Sequence, residues 1–224
     1  MNPAHDLTPL WLTFKLASVT TVILFIIGVP LAWWIVFSRN KLRYAVEALV
    51  TMPLVLPPTV LGFYLLFFLG PSSSVGAFLH QAFDVRMVFT FTGLVIGSVI
   101  FSLPFMVNPI KAGFESVPHS LIEAAYTLGK SRREILFKVL LPNIKPALLT
   151  GIVMAFIHTV GEFGVVLMIG GNIPGETRLV SMAIYEEVEA LNFAAANFYS
   201  VIMVVVSFTI LFLFYLFNRR IKVF

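Results

Sequence analysis

Three groups of residues have types and spacings that could do chemistry. Gly129-Lys130-Ser131 carries the closing letters of a phosphate-binding loop. That motif needs a glycine five residues before Gly129 and a strand ahead of it. Ala124 occupies that position, and the preceding residues read as an apolar helix. The triplet therefore reads as a helix stop followed by a helix start, and any ATP must be bound by a partner. His158 and Glu162 lie one turn apart in HTVGEFG, inside an apolar stretch, while Ser98, Ser102 and Ser207 lie in other apolar stretches. A serine nucleophile would need a flanking arrangement such as G-x-S-x-G, and none is present. An intramembrane hydrolase is therefore disfavoured. Arg178 stands in a polar stretch after Glu162 and offers a cation to an anion.

The chain around these residues is written for lipid. Of its 224 residues, 59% are hydrophobic and only 12% are charged, with a mean hydropathy of +0.96. Charged residues make up about 25% of a soluble domain, so the fold class is all-α, a polytopic transmembrane helical bundle. The absence of cysteine excludes disulfides and thiolate-bound metal. A net charge of +4 would suit nucleic acid, but the basic residues sit in separate clusters beside apolar spans and mark membrane topology instead. Residues 1–9 lack the basic start and small-residue cleavage site of a signal peptide.

Five spans are expected, at about Leu10–Phe37, Leu49–Leu69, Met87–Ile110, Ile144–Ile169 and Phe193–Phe217. Each reaches the ~20 residues that cross a bilayer core. A loop of Gly, Pro and Ser links the second and third, from Gly70 to Arg86. One side receives Arg39, Lys41, Arg43, Lys111, Lys130, Arg132, Arg133, Lys138, Lys145, Arg219, Arg220 and Lys222; the other receives Lys15, Arg86 and Arg178. That asymmetry makes the first side cytoplasmic, with the N-terminus outside and the C-terminus inside. No internal repeat is visible, which argues against a complete inverted-repeat transporter.

Between the third and fourth spans, residues 118–142 form a polar interruption. Two capping boxes are expected, Ser120 with Glu123 and Ser131 with Glu134. The first helix would run from Leu121 to Leu128 with Leu121, Ala124, Ala125 and Leu128 on one apolar face, stopped by Gly129. The second would start after Ser131 and end before Pro142.

Several positions carry two readings. Glu162, between Gly161 and Gly164, lines a path, an interface or a helix break, or else sits near the outer end and hydrates. Pro53, Pro57 and Pro58 bend the inner end of the second span and, with Thr59, line a conduction path, or else the prolines simply open a helix. Gly93 with Gly97, and Gly151 with Ala155, have the spacing of close helix contacts, which also arises by chance in a chain rich in small residues. Pro174 and Gly175 form a turn beside Glu176 and Arg178. An amphipathic helix follows with Met182, Tyr185, Val188 and Leu191 as its apolar stripe. This outer segment is either a docking surface for an external partner or an interfacial helix closing the bundle.

The run EAAYTLGKSRREILFKVLLP resembles the loop of ABC-importer permeases: E-A-A, three residues, G, nine residues, then I-x-L-P. Glu123, Ala124, Ala125, Gly129, Leu141 and Pro142 match; Val139 replaces the usual Ile. PLVLPPTVLGFYLL, GEFG and NIPGETR resemble the molybdate permeases, with sulfate and tungstate permeases as close relatives. The resemblance covers most of residues 10–217, and some relatives carry an extra N-terminal span. It implies one permease domain over 1–224, in which residues 118–142 form a cytoplasmic coupling loop and Glu123, Ala124, Ala125, Leu128 and Gly129 meet the ATPase. It further implies a homodimer in the inner membrane, two ATP-binding subunits, an external oxyanion-binding protein, alternating access and no cofactor. A self-sufficient channel or carrier is the alternative from another class.

Overall fold

Inside a bilayer a backbone N–H or C=O has no water to turn to, so an apolar chain satisfies its own polar groups by coiling. The computed structural model describes residues 6–83 and 86–221 and contains helices but no strands among them. Lys222 of the basic cluster, and the side chains of Arg219 and Arg220, lie outside what is described. Three helices are long and apolar enough to cross a membrane: α1 (Thr8–Phe37), α5 (Phe91–Ser116) and the stretch Phe193–Asn218 of α12 (Phe193–Ile221).

α1 buries Leu12, Leu16, Thr20, Leu24, Gly28 and Ala32, one residue every four. This stripe lies mainly against α5 and α9 (Lys145–Val160). The exposed stripe, with Val22, Ile26, Pro30 and Trp34, follows the same spacing on the other flank. Both small-residue pairs of the sequence contribute to close packing. A Cβ on Gly97 would stand 3.3 Å from Val165, and one on Gly151 would stand 3.0 Å from the Met106 carbonyl. Gly93 differs: it faces the backbone at Met87, in the turn that leads into α5, and not another helix.

The second and fourth spans are not straight helices. α2 (Leu42–Thr51) runs into a 3-10 turn, Met52–Leu54, and α3 (Pro58–Leu69) leaves at 112° to it. Pro57 is held extended (ψ 134°) by the proline that follows it. Proline thus both ends one helix and starts the next. At 12 residues, α3 rises only about 18 Å, which is short of a bilayer core. The bend expected from the prolines within Leu49–Leu69 is present, and it is sharp. The fourth span divides into α9 and α10 (Gly164–Gly170), separated by Gly161–Phe163. The bent pairs are Leu42–Leu54 with α3, and Arg132–Asn143 with α9 at 76°; counting each as one crossing gives up to five spans among the described residues. The Gly70–Arg86 loop contains a helix, α4 (Ser74–Phe83), whose first turn is capped by Ser73: its Oγ accepts from the Gly76 N–H at 2.8 Å.

In the polar interruption, α6 (His119–Thr127) starts earlier than expected, directly after Pro118, and has no side-chain cap. The expected Ser120–Glu123 box does not form because Ser120 already lies within the first turn. The stop is as expected. Gly129 takes φ +72°, its N–H reaches the Tyr126 carbonyl and the Lys130 N–H reaches the Ala125 carbonyl, a complete Schellman turn. α7 (Arg132–Ile135) opens with the expected Ser131–Glu134 box. It widens into a π segment, Leu136–Leu140, and continues as α8 (Leu141–Asn143). The helix therefore runs past Pro142; the wide turn accommodates a residue that lacks an N–H and crowds the preceding turn. α11 (Val180–Glu189) completes the element order. α12 packs on α11 and α9 but leaves Val201, Val204, Val205 and Phe208 exposed.

Gly151→Val should crowd the Met106 backbone and lower the melting temperature of the purified chain, with an overpacking cost of about 1–3 kcal/mol. Thermal unfolding in detergent reads this directly; an unchanged midpoint would contradict the α5–α9 contact.

Candidate functional site

Three places hold the residues singled out by sequence. The first is the loop between α5 and α9. α6 turns Ala125 (6% exposed) into the bundle, where Ile122 also packs. Leu121, Glu123, Ala124, Leu128 and Gly129 face outward, with Leu128 78% exposed. The expected four-residue apolar face is thus split: Ala125 anchors the helix and the others are presented. Nothing lies within 4 Å of where a Gly129 side chain would begin. Behind this helix, the Glu134 carboxylate accepts from Lys138 Nζ at 3.0 Å and from the Ser131 N–H at 3.1 Å, with Lys130 Nζ at 3.5 Å. The Lys138 hydrogen bond, then the Ser131 N–H and the Lys130 charge, hold its pKa down to about 2.

The second place is the break between α9 and α10. Glu162 is 3% exposed, which overturns the reading that it hydrates near a helix end. Ser98 Oγ donates to Glu162 Oε2 at 2.7 Å, and Ser181 Oγ donates to the Glu162 carbonyl at 2.7 Å. The other carboxyl oxygen, Oε1, is buried without a protein partner. A helix break leaves carbonyls without helical donors; Ser181 supplies one. Gly164, the first residue of α10, lies against Pro58, the first of α3: a Cβ there would stand 2.8 Å from the proline ring. The two broken segments therefore lean on one another, and α3 packs along α10. Pro58, Thr59, Gly161, Glu162 and Gly164 line a common hollow of about 530 Å³ with His158 and Phe101. Pro57 caps α3 just outside it.

His158 bonds not to Glu162 but to Ser102, with Nδ1 and Oγ 2.9 Å apart, and its ring stacks on Phe105 with centroids 3.8 Å apart. The proton directions follow from the chain of contacts. Thr159 Oγ1 donates to the Ala155 carbonyl, so in the 3.0 Å contact with Thr159 the proton belongs to Ser102. Ser102 then has none left to give, so His158 Nδ1 must be the donor in their contact. A general base would accept that serine proton; here the histidine donates, and the pair ties α5 to α9. The inward polar face of α5, Ser98 and Ser102 at i,i+4, was legible in the sequence only as two stray serines. Ser181 carried no signal there, because only the fold brings α11 beneath the break.

The third place is the outer turn. Pro174, Gly175 and Glu176 are exposed at its tip. The Ile173 carbonyl accepts the N–H groups of Glu176, Thr177 and Arg178, and buried Thr177 Oγ1 donates to the Gly170 carbonyl. Arg178 is not a free cation: Nη2 lies 3.0 Å from Glu186, which also accepts from Asn172 Nδ2. The α11 stripe is corrected too. Val180, Met182 and Ala183 are buried, whereas Tyr185, Val188 and Leu191 are exposed.

The build is that of an α-helical membrane subunit with an interrupted crossing at a polar break and a helix presented at the edge of the bundle. The chain belongs to the family of binding-protein-dependent transport system inner membrane components, which it matches over residues 22–223. It is 46% identical to the molybdenum transport system permease protein ModB of Azotobacter vinelandii, over 97% of this chain and 96% of that one. It is 31% identical to the sulfate transport system permease protein CysT of Salmonella typhimurium, over 89% and 72% of the two chains. Its fold is similar to a chain of a bacterial alginate ABC transporter solved with an alginate-bound periplasmic protein, with a TM-score of 0.78, 20% identity, and 96% and 78% coverage.

Two measurements check these sites. Glu134 contributes order to the loop that is complete above pH 4.5 and is lost as pH falls toward about 2, since its folded pKa is the lower one. Its carboxyl carbon should titrate near 2 by NMR, and Lys138→Met should raise the midpoint. Ser98→Ala should cost about 1–3 kcal/mol by stranding a buried carboxyl oxygen, whereas Glu162→Gln, which keeps an acceptor for Ser98, should retain most of the stability.

Proposed function

We propose that this chain is the permease subunit of an ATP-driven importer that moves molybdate across the inner membrane by alternating access. The observation that carries the reading is α6: a short helix standing outside the bundle with Leu121, Ala124 and Leu128 exposed, ended by Gly129 where no side chain crowds it. Its small and apolar surface suits the cleft of a separate ATP-binding subunit, and residues 118–142 serve as the coupling loop of a single 1–224 permease domain. Gly129 and Lys130 are spent on the Schellman turn and Ser131 on a cap, so ATP is bound and hydrolysed on the partner. The identity with a molybdenum permease along nearly the whole chain supports the substrate.

The hollow at Pro58, Thr59 and Glu162 is open on one side. A second copy closes it, in a homodimer served by two ATP-binding subunits. The exposed aromatic ladder Phe63, Tyr64, Phe67 and Phe68 of α3 supports such an interface. An external oxyanion-binding protein docks near Pro174, Gly175 and Glu176, with Arg178 held behind them by Glu186. The Ser181 hydrogen bond then links that docking surface to the break at Glu162. The distribution of basic residues supports a cytoplasmic loop and C-terminus and an outer N-terminus. The similarity to a sulfate permease favours sulfate as the second reading.

In proteoliposomes holding the permease, its ATP-binding subunit and its binding protein, molybdate should stimulate ATP hydrolysis more than sulfate or tungstate; preference for sulfate would reverse the assignment. Uptake by the permease alone would sink the ATP-driven reading in favour of a self-sufficient channel. Gly129→Asp, which forces a side chain into a left-handed position at the docking surface, should reduce uptake by at least about tenfold while leaving the amount of protein in the membrane unchanged.

A further inference from the structure

α1 reaches the membrane face on which the polar loop lies, and its end carries Trp33, Trp34 and Phe37. With Ser38, Arg39 and Arg132 they wall a hollow of about 420 Å³ between the end of α1 and the start of α7. The two guanidinium groups come from distant parts of the chain and converge on one space. Neither has an ion pair or a side-chain hydrogen bond among the described residues. Several neighbouring charges are already committed. Glu134 holds Lys130 and Lys138, Glu47 and Glu115 hold Lys111, and Arg43 donates to the Ser38 carbonyl and the Tyr44 hydroxyl. Lys41, Arg133 and Lys145 also lack an ion pair among the described residues, but Arg39 and Arg132 bring two such charges to one space.

Its other wall points to the kind of occupant. Trp34 is the last member of the exposed stripe Val22, Ile26, Pro30 and Trp34, which faces away from the bundle. It lies three residues before the helix end, about 5 Å of rise, the depth at which the apolar core of a bilayer gives way to headgroups. Tryptophan favours that level because its ring is apolar and its N–H is not. Paired guanidinium groups present forked donors that match phosphate oxygens. Two unpaired arginines above a tryptophan that continues a lipid-facing stripe form a site apolar at one end and anion-binding at the other.

We propose that this hollow binds an anionic phospholipid, with Arg39 and Arg132 on the headgroup phosphate and Trp33 and Trp34 against the glycerol end of its acyl chains. A lipid held there would tie the end of α1 to α7, and so to the loop that carries α6. An acidic surface of the ATP-binding subunit is the competing occupant. The same two arginines also line an adjoining hollow with His119, Ile122 and Tyr126 of α6; the proposed site is the one that Trp34 joins to the lipid stripe, and Leu121, Ala124 and Leu128, which α6 presents, line neither.

The chain holds three tryptophans, at 11, 33 and 34, so Trp11→Phe leaves fluorescence only at the hollow. That variant is reconstituted into phosphatidylcholine vesicles containing an equal fraction of either phosphatidylglycerol or phosphatidylcholine brominated near the glycerol. The brominated phosphatidylglycerol should quench about twofold more or better, as basic residues at a surface enrich anionic lipid. The excess should vanish in Arg39→Gln/Arg132→Gln and persist in Arg133→Gln, whose side chain does not line the hollow. It should also persist with excess inorganic phosphate and with the ATP-binding subunit added. Equal quenching by the two lipids, or excess retained in the double variant, overturns the site. Loss of the excess on adding phosphate would mark a free-anion site instead, and loss on adding the subunit would give the hollow to that protein.

Discussion

Two serines hold Glu162 at both ends, Ser98 on its carboxylate and Ser181 on its carbonyl, and the interrupted crossings depend on them. A chain that breaks its helix inside a membrane must find new partners for the groups it frees. Here the partners come from α5 on one side and α11 on the other, so one residue joins three elements. The proline-made bend before α3 then rests on Gly164 at the start of α10. The two breaks are in direct contact, and α3 packs along α10 from that point.

This arrangement gives the molecule a mechanical sense. α11 touches the break through Ser181 and touches α1 through the Val180 N–H, which donates to Thr13 Oγ1 at 2.9 Å. The turn before it is tied to the end of α10 through Thr177 and locked by the Arg178–Glu186 pair. The outer turn, α11, α1 and the break are thus joined by one continuous set of hydrogen bonds and an ion pair. At the opposite end, α6 is held by Ala125 and Ile122 on the inner core and is otherwise free to be gripped.

Hydropathy and charge made three helices, the polar loop and its Gly129 stop legible, because each rests on residues close in sequence. Gly161 and Gly164 marked the break in the fourth crossing. In the second crossing the prolines signalled the bend but not its 112° size, which goes with contacts to α10, far away in sequence. Pro118 defeated the Ser120 capping box by starting the helix itself. The α11 stripe had the right period and the wrong phase: the helix begins at Val180 and Leu191 falls beyond its end with φ 58°. Glu162 was legible as an anomaly but its partners were not, since Ser98 stands 64 positions away and pairs only in the folded bundle.

The apolar stretch of α12 runs for 26 residues, about 39 Å of helix against a hydrocarbon core near 30 Å. Upright, it would protrude. Leaning brings its whole length into the core, and the lean must change with the thickness of the bilayer around it. α12 is held by contacts with α11 and α9, so its lean is a compromise between that packing and the thickness of the bilayer around it.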